Sequence, residues 1–233
     1  MRPTRLVISL TFLASVLLAP AWADETSPGM AAAASRESIE WCDIWISHAN
    51  ETNLPRVLLI GDSITRAYYP EVEKRLAGRA FVARLSSSAF ISDPVLRQQI
   101  EMVLGAMKFD VIHFNNGMHG WQHSEAEYAA AFPGFLKTIR QGAPGARLIW
   151  ANTTPLKESP ANPAPDAATD ARIQARNAAV WKLVRAQGIP VDDLYAIAAG
   201  HPEFHSDNVH FNDQGIGLQA AQVADEISAA LKR

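Results

Sequence analysis

The sequence contains little cysteine and carries little net charge, and both absences limit what the protein can be. Its single cysteine, Cys42, excludes an internal disulfide framework, and we expect this thiol to be buried as an apolar side chain. The formal net charge of -3 provides no strong attraction to nucleic acid or to an anionic membrane. We therefore expect no nucleic-acid partner. The 233 residues, 48% of them hydrophobic, are enough for one globular domain with a sizeable core.

A long apolar run occurs at the beginning of the sequence, over LVISLTFLASVLLAP (6–20). It follows the basic head MRPTR, and at about 15 residues it is short for a membrane span. The small residues of AWA stand at positions -3 and -1 of a cut after Ala23. Residues 1–23 are therefore predicted to be a cleaved signal peptide. That makes the mature protein secreted or periplasmic in a bacterium, with no stable membrane anchor after cleavage. An uncleaved anchor is the alternative.

Strands and helices alternate along the rest of the chain. Residues 24–52 are predicted to form a leader and an N-terminal amphipathic helix, the helix over 37–51. From 53 to 233, apolar strand segments alternate with helical patterns, as in a parallel sheet covered by helices on both faces. The five strand segments are 56–60, 80–85, 109–114, 146–152 and 189–194. The sequence thus predicts one α/β domain over 53–233, a three-layer α/β/α sandwich with a five-stranded parallel sheet.

Polar and aromatic residues follow the ends of several predicted strands. Ligands of such sheets bind at the carboxyl ends of the strands, so we expect these side chains to face one crevice. A loop rich in proline and alanine, 153–170, follows the fourth strand, and together with Arg172, Arg176 and Asn177 beyond it this loop is expected to shape the pocket. The candidate substrate-binding residues are Asp62, Asn115, Trp121, Thr154 and Arg172.

The stretch VLLIGDSITRAYYP, residues 57–70, places Ser63 directly after the first predicted strand and at the start of a helix. The free N–H groups and the dipole of a helix N-terminus favour negative charge there. Ser63 is therefore a candidate nucleophile. Serine and aspartate are also ordinary N-cap residues, so this stretch taken alone equally predicts a simple helix cap.

A second candidate stretch is HSDNVHFNDQG, residues 205–215, which precedes the last predicted helix. A serine nucleophile requires a base, and the base requires a group that orients its other nitrogen. Asp207 and His210, three residues apart, can supply both from one turn. The alternative is a surface loop with a capping aspartate and an exposed histidine.

Together, GDSIT and DNVH resemble the corresponding motifs of the SGNH or GDSL-like hydrolases, in order, spacing and surrounding pattern. The resemblance covers the chain from about residue 56 onward and implies a flavodoxin-like fold. It implies that Ser63 is the nucleophile, His210 the general base and Asp207 its orienting partner. Members of this family hydrolyse esters and, less often, thioesters and amides, without a metal or cofactor.

The two remaining sequence blocks of that family differ here, and they are the blocks that supply the oxyanion hole. A glycine N–H is usual after the second strand, where this sequence has Ser86 in RLSSS; its backbone N–H can still donate, beside that of Ser63. The family's Gly-x-Asn-Asp corresponds to HFNNGMHGW. If Gly117 is the block glycine, His119 stands at the asparagine position. If the loop is shifted, Asn116 or Asn115 supplies the amide. Either side chain can donate to an oxyanion.

A metal site is not favoured by the histidine pattern. His119 and His123 are four residues apart, as are His201 and His205, but Pro202 disfavours a regular helix through the second pair. No Cys or carboxylate cluster completes a ligand set in the sequence. We therefore predict neither a metal nor a cofactor.

Three functions remain open from the sequence. The first is an exported esterase that removes acyl groups, acetyl above all, from a carbohydrate, or from a small-molecule ester. The second is a lipase, lysophospholipase or thioesterase of the same family. The third is a descendant that binds sugars without hydrolysis, because the blocks that should form the oxyanion hole are altered.

Overall fold

A computed structural model describes residues 36–157 and 169–232 of the chain. The predicted signal peptide and most of the predicted loop 153–170 lie outside the described residues. The strands are β1 (Cys42–Ile46), β2 (Arg56–Gly61), β3 (Phe81–Ser87), β4 (Val111–Phe114), β5 (Arg147–Ala151) and β6 (Val191–Asp192). The helices are α1 (Ser63–Arg75), α2 (Pro94–Ala106), α3 (Glu125–Gly142), α4 (Asp170–Ala186), α5 (Leu194–Ala199) and α6 (Asp213–Leu231).

The six strands form one sheet in the order β1-β3-β2-β4-β5-β6. The pairings from β3 to β6 are all parallel. Numbered among themselves, those five strands have the order 2-1-3-4-5 of flavodoxin-like sheets. The predicted fold class and the five parallel strands are therefore confirmed, and a sixth strand is added at one edge.

That added strand, β1, corrects the predicted helix over 37–51. It pairs antiparallel with β3, with Ile44 opposite Leu85. Ile44 and Ile46 both pack against the core cluster on one face of the sheet, and a spacing of two residues between inward side chains is the period of a strand. The sheet thus includes residues ahead of the predicted domain start at 53. Cys42, expected to be buried, is exposed on this edge strand.

Helices cover both faces of the sheet and divide the core in two. Val57 and Leu59 of β2 face the layer of α1, α5 and α6. Leu58 and Ile60 alternate with them and face the layer of α2, α3 and α4. All four side chains are buried, which explains why β2 is a continuous apolar run instead of an alternating one.

The topology places a crevice at the end of β2. The chain passes from β2 to β3 on one side, and β4 then pairs on the other side of β2. The helices that follow such neighbouring strands lie on opposite faces and leave a gap at the carboxyl ends, where ligands bind in open α/β sheets. In residues 36–157 and 169–232, no helix is sufficiently long and apolar to cross a membrane.

Candidate active site

Ser63 is the first residue of α1 and stands at the carboxyl end of β2. Asp62 caps the helix, because its side chain accepts a hydrogen bond of 2.9 Å from the N–H of Ile64. Gly61 makes the tight strand-to-helix turn possible: a Cβ there would lie 2.0 Å from Oγ1 of Thr65. The cap predicted from the sequence is thus present, but Asp62 provides it, which leaves the hydroxyl of Ser63 for another partner.

That partner is His210. Its Nε2 lies 2.9 Å from Oγ of Ser63, across 147 residues of sequence. Nδ1 of the same ring lies 2.9 Å from Oδ2 of Asp207. The structure therefore brings together the three residues that the sequence predicted as nucleophile, base and orienting acid, in one continuous chain of hydrogen bonds.

Asp207 is held by its own turn. Its Oδ1 accepts hydrogen bonds of 2.7 Å from the backbone N–H groups of Val209 and His210. Partial burial opposes the carboxylate charge, but these two bonds, together with the His210 ring, outweigh it and lower the pKa of Asp207 to about 2. Asp207 is therefore ionised at neutral pH and can orient and stabilise a protonated His210 ring.

Ser86, the predicted backbone donor to the oxyanion, belongs to β3. Ser86 lies inside the strand, paired with Gly61 on one side and with Asp43 on the other. The N–H of Ser88 donates to the carbonyl of Trp41, and bonded pairs in an antiparallel ladder recur every second residue. The N–H of Ser86 is accordingly directed at β1 and not into the crevice. Its role as an oxyanion donor stays a prediction, and this geometry argues against it.

The loop after β4 carries the other candidates. Nδ2 of Asn116 donates to the carbonyl of Ala89 at 3.0 Å, so this amide ties the loops after β3 and β4 to each other. Gly117 approaches Thr153 so closely that a Cβ would lie 2.0 Å from its Oγ1. Both residues have a packing role in the loop, which leaves His119 as the donor that the geometry favours.

His119 contacts the segment that precedes β1. Its Nδ1 lies 3.0 Å and 3.1 Å from the two carboxylate oxygens of Glu37. The ring of Trp41 meets the His119 ring edge-on at 6.0 Å. Trp41 also contacts α1, because the guanidinium of Arg66 lies 4.6 Å from the centre of the Trp41 ring. Trp41 thus connects His119 to the first turns of the helix that Ser63 begins.

Arg176 of α4 fixes the backbone of the same loop. Its side chain is fully buried and donates to the carbonyls of Gly117, His119 and Gly120 at 2.8 to 3.0 Å. The guanidinium also lies 4.2 Å from the centre of the Trp121 ring. Burial lowers the pKa of Arg176, but an arginine stays charged, and the three carbonyl dipoles compensate for the lost water.

Three predicted substrate-binding residues surround a cavity beside Ser63. Asp62, Asn115 and Thr154 are buried and line a volume of about 10 Å³, which is room for no more than one water molecule. Asn115 also donates to the carbonyl of Ala151 at 2.8 Å. The structure thus buries these side chains close to Ser63, where they shape the site.

The other two predicted substrate-binding residues support the loop after β4. Trp121 is buried in a small cluster with Met118 and Ile173. Arg172 donates to the carbonyls of Trp121 and His123 at 2.9 and 2.6 Å. Their contacts favour a structural role for both. A larger cavity, of about 460 Å³, lies around the beginnings of β5 and β6, at the opposite edge of the sheet.

Sequence reasoning missed Glu37 and Trp41, and it named Arg176 only as a residue beyond the loop 153–170 that helps to shape the pocket. None belongs to a local motif: Glu37 is 82 residues from His119, and Arg176 is 57 residues from it. Residues 37 and 41 also lie in the segment predicted to be a helix, so the edge strand that follows them was not expected. A sequence signal for Glu37 was the position of His119, because a histidine predicted to be an oxyanion donor requires a partner for its second ring nitrogen.

The motifs around Ser63 and His210 lie in a stretch that matches a known protein family. The model of the GDSL-like lipase/acylhydrolase family matches residues 59–217, a stretch that includes Ser63, Asp207 and His210. The chain belongs to this family. It is an ester-hydrolysing enzyme of the GDSL type, and its fold is the one that the resemblance implied. Among curated proteins, none matches this acylhydrolase significantly.

Solved structures with the same fold include several esterases. A carbohydrate esterase of family 3 from Talaromyces cellulolyticus is 20% identical, with a TM-score of 0.59 over 76% of this chain and 98% of its own. The aryl esterase of M. smegmatis is 12% identical, with a TM-score of 0.63 over 76% and 99%. A GDSL-like lipase from Bacteroides thetaiotaomicron is 17% identical, with a TM-score of 0.61 over 75% and 88%. At these identities, the likeness establishes the fold.

Proposed function

We propose that this GDSL enzyme is an exported serine esterase that removes small acyl groups, acetyl above all, from a carbohydrate. The observation that carries the proposal is the chain of hydrogen bonds from Ser63 through His210 to Asp207. It lies at the carboxyl edge of the sheet and open to solvent, since the His210 and Asp207 side chains are 45% and 53% exposed. A bulky polymer can reach a nucleophile in such a position, while only its acyl group enters the site.

The reaction proceeds through an acyl-enzyme. Nε2 of His210 accepts the proton of Ser63 as Oγ attacks the ester carbonyl, and Asp207 stabilises the resulting imidazolium. The N–H of Ser63, which has no partner within the helix at this position, and the side chain of His119 donate to the oxyanion. The bond to the sugar oxygen then breaks as His210 gives its proton to that oxygen, and the sugar leaves as a free hydroxyl. Water, deprotonated by His210, attacks the acyl-enzyme and releases the carboxylic acid.

A structural neighbour supports a sugar ester as the substrate. The carbohydrate esterase from Talaromyces cellulolyticus shares the fold, which is compatible with a sugar ester as substrate. The aromatic residues near the strand ends, Tyr68, Tyr69, Trp121 and Trp150, are all buried, so Trp41 is the aromatic side chain we assign to the mouth of the site.

Export is part of the proposal. It is supported by the basic head, the apolar run and the small residues at positions -3 and -1 of the cut after Ala23. Periplasmic and medium fractions of a bacterial host expressing the whole chain should contain protein whose N-terminus is Asp24. Retention of the intact N-terminus in the membrane fraction would instead support an uncleaved anchor.

Hydrolysis and substrate class are tested with the purified mature enzyme. We expect a fluorophosphonate probe to label the protein at Ser63, and the label to be lost in His210→Ala and kept in His201→Ala, an exposed histidine paired with Glu203. Absence of labelling at neutral pH in the wild-type protein would support the sugar-binding alternative and contradict the esterase.

Two product assays then separate the remaining alternatives. Acetate release from acetylated oligosaccharides should exceed fatty-acid release from a lysolipid, and p-nitrophenyl esters should be hydrolysed more slowly as the acyl chain lengthens. The opposite chain-length preference would contradict a small-acyl esterase and support the lipase or thioesterase function.

A further inference from the structure

His119 can donate to an oxyanion only if the ring nitrogen that faces the oxyanion carries a proton. A neutral imidazole carries one N–H, and the other nitrogen is an acceptor. The carboxylate of Glu37 only accepts hydrogen bonds, so the proton of a neutral His119 ring is held at Nδ1, which lies 3.0 Å from it. Nε2 of that neutral ring then has a lone pair, which repels an oxyanion. Only the doubly protonated ring has a donor at both nitrogens.

The position of Glu37 is fixed from two directions. Beside its two contacts to Nδ1 of His119, Oε1 of Glu37 accepts a hydrogen bond of 2.9 Å from the backbone N–H of Gly120. The carboxylate is about five-sixths buried, with a side-chain exposure of 17%, and the His119 side chain is similar at 16%. A carboxylate and an imidazole this close and this protected from water form a tighter pair than surface partners do.

The free nitrogen of His119 requires a partner. Its Nε2 is buried and makes no hydrogen bond with any of the residues 36–157 and 169–232. A buried donor without an acceptor costs free energy, and more so when it is charged. The ring also lies against Trp41, which in turn lies under Arg66 on the helix that starts with Ser63. A substrate oxygen at Ser63 is a suitable acceptor in this location.

We propose that Glu37 is a positioning residue that holds His119 as an imidazolium, whose Nε2–H donates to the oxyanion formed when Ser63 attacks an ester. The inference rests on the proposed esterase function. A charge-assisted donor is shorter and stronger than the neutral amide that other members of the family use at this position. Glu37 thereby compensates for the replacement of that asparagine by histidine.

The charges around His119 agree with a protonated ring. Burial opposes the imidazolium, but the hydrogen bond to Glu37 and the negative charges of Asp62, Glu37 and Glu40 outweigh it, so the pKa of His119 is raised. Burial likewise opposes the Glu37 carboxylate, and its bonds to His119 and Gly120 outweigh this and lower the pKa of Glu37. The facing cation is Arg176, whose guanidinium binds the carbonyl of His119. Both shifts favour the ion pair.

The sign of the pH dependence follows from these shifts. A raised pKa keeps His119 protonated through and above its ordinary value of 6.5, and the donor is lost as the pH rises through the raised pKa. Activity should therefore have an alkaline limb that belongs to His119.

The test is a pair of substitutions and their combination, measured with p-nitrophenyl acetate. Glu37→Gln should lower kcat roughly 10- to 100-fold, below the full loss of one oxyanion donor, with little change in KM. Its alkaline limb should move to lower pH. His119→Asn restores the usual amide and needs no carboxylate, so adding Glu37→Gln to it should change kcat less than about threefold, since the two residues act as one unit.

The matched control is Glu51→Gln. Glu51 forms the same type of pair with a histidine, at 2.7 Å from Nδ1 of His48, but it precedes β2 at the opposite edge of the sheet. This variant should keep both the wild-type rate and the wild-type pH profile. Melting temperatures of all variants identify any effect of misfolding.

A second measurement does not depend on hydrolysis. NMR of the His119 ring should show protons on both nitrogens at pH 7, and its pKa should fall in Glu37→Gln. The proposal is overturned if the pKa of His119 lies below its ordinary value in the wild-type protein, or if Glu37→Gln leaves the alkaline limb unmoved. It is also overturned if Glu37→Gln lowers kcat as much in the His119→Asn variant as in the wild-type protein. A wild-type protein that shows the doubly protonated ring and hydrolyses no ester contradicts the proposed function while supporting the His119–Glu37 pair.

Discussion

The two walls of the crevice are built in different ways. One, which we call the nucleophile wall after the proposed role of Ser63, consists of Ser63, Asp207 and His210. Its members are held by short turns, with a helix cap at Ser63 and backbone bonds to Asp207. The other, which we call the oxyanion wall after its proposed role, is the loop 115–123 with Glu37. Its shape depends on contacts with residues 57 and 82 positions away in the sequence. The first wall is encoded locally and the second by long-range packing.

This difference explains how the two walls can vary separately. A turn that carries its own hydrogen bonds keeps its geometry when the surroundings change, so the GDS and DNVH motifs can remain recognisable. The oxyanion wall requires only that some donor reaches the same point in space. A histidine with a carboxylate partner can therefore replace an amide, provided that the N-terminal segment supplies Glu37 and α4 supplies Arg176.

The largest effect is expected from the nucleophile wall, in Ser63→Ala. Removal of the hydroxyl should lower kcat on the order of a million-fold, because the remaining wall only binds and polarises the ester. The fold should be unaffected, since Asp62 and not Ser63 caps α1. Stopped assays of p-nitrophenyl acetate hydrolysis and a melting curve check both parts. Residual activity above a thousandth of the wild-type rate would contradict the assignment of Ser63 as nucleophile.

A smaller loss is expected from Asp207→Asn, roughly ten-thousandfold in kcat. The amide keeps the shape of the side chain but favours the wrong ring tautomer of His210. The pH dependence of stability is a second readout. The lowered pKa of Asp207, about 2 instead of 3.8, stabilises the folded state above pH 4, and this contribution is lost as the pH falls through 2. The variant should therefore lose part of the acid dependence of its melting temperature.

The contrast between the walls also sets the limit of prediction from sequence. The five parallel strands, the helices between them and the Ser63–His210–Asp207 arrangement followed from local patterns, because apolar runs and caps are properties of a few consecutive residues. Strand β1 was mistaken for a helix, since an edge strand lacks the continuous apolar run of β2 and its pairing with β3 is not visible in its own residues. Glu37 was missed for the same reason.

Substrate-binding residues were the least predictable part of the site. Asn115, Trp121 and Thr154 were chosen because they follow strand ends, and Arg172 because it lies just beyond the loop 153–170. Position along a strand, however, does not tell whether a side chain points to solvent or beneath the loops. All of them except Arg172 are buried, and their bonds to carbonyls or their packing require the complete loop arrangement to be known.

The oxyanion wall should be more sensitive to Arg176→Met than to any exposed substitution on α4. Loss of the charged bonds to three buried carbonyls should lower the free energy of unfolding by about 3 kcal/mol, and the melting temperature by roughly 10 °C. Because the loop that carries His119 loses its support, kcat should fall as well, with KM nearly constant. Urea unfolding and steady-state kinetics measure the two effects.

The control for Arg176 is Arg97→Met, an exposed arginine of α2 paired with Glu101. Exposed ion pairs of this kind contribute at most about 1 kcal/mol to the free energy of unfolding. This variant should therefore match the wild-type protein in stability and rate. If Arg176→Met were as stable and as active as this control, the loop would have to be fixed by other contacts, and the oxyanion wall would be less dependent on long-range packing than we infer.

The smallest effect is expected for Arg172→Gln, which separates the role predicted from the sequence from the role seen in the structure. Arg172 binds the carbonyls of Trp121 and His123 from the outer side of the loop, with part of its side chain exposed. A supporting role predicts a loss of about 1 kcal/mol in unfolding free energy and an unchanged KM for acetylated oligosaccharides. A substrate-binding role predicts the reverse, an unchanged stability and a KM raised several-fold. Measuring both quantities on one preparation decides between them, because the guanidinium cannot hold the loop carbonyls and remain available to a substrate with the same N–H groups.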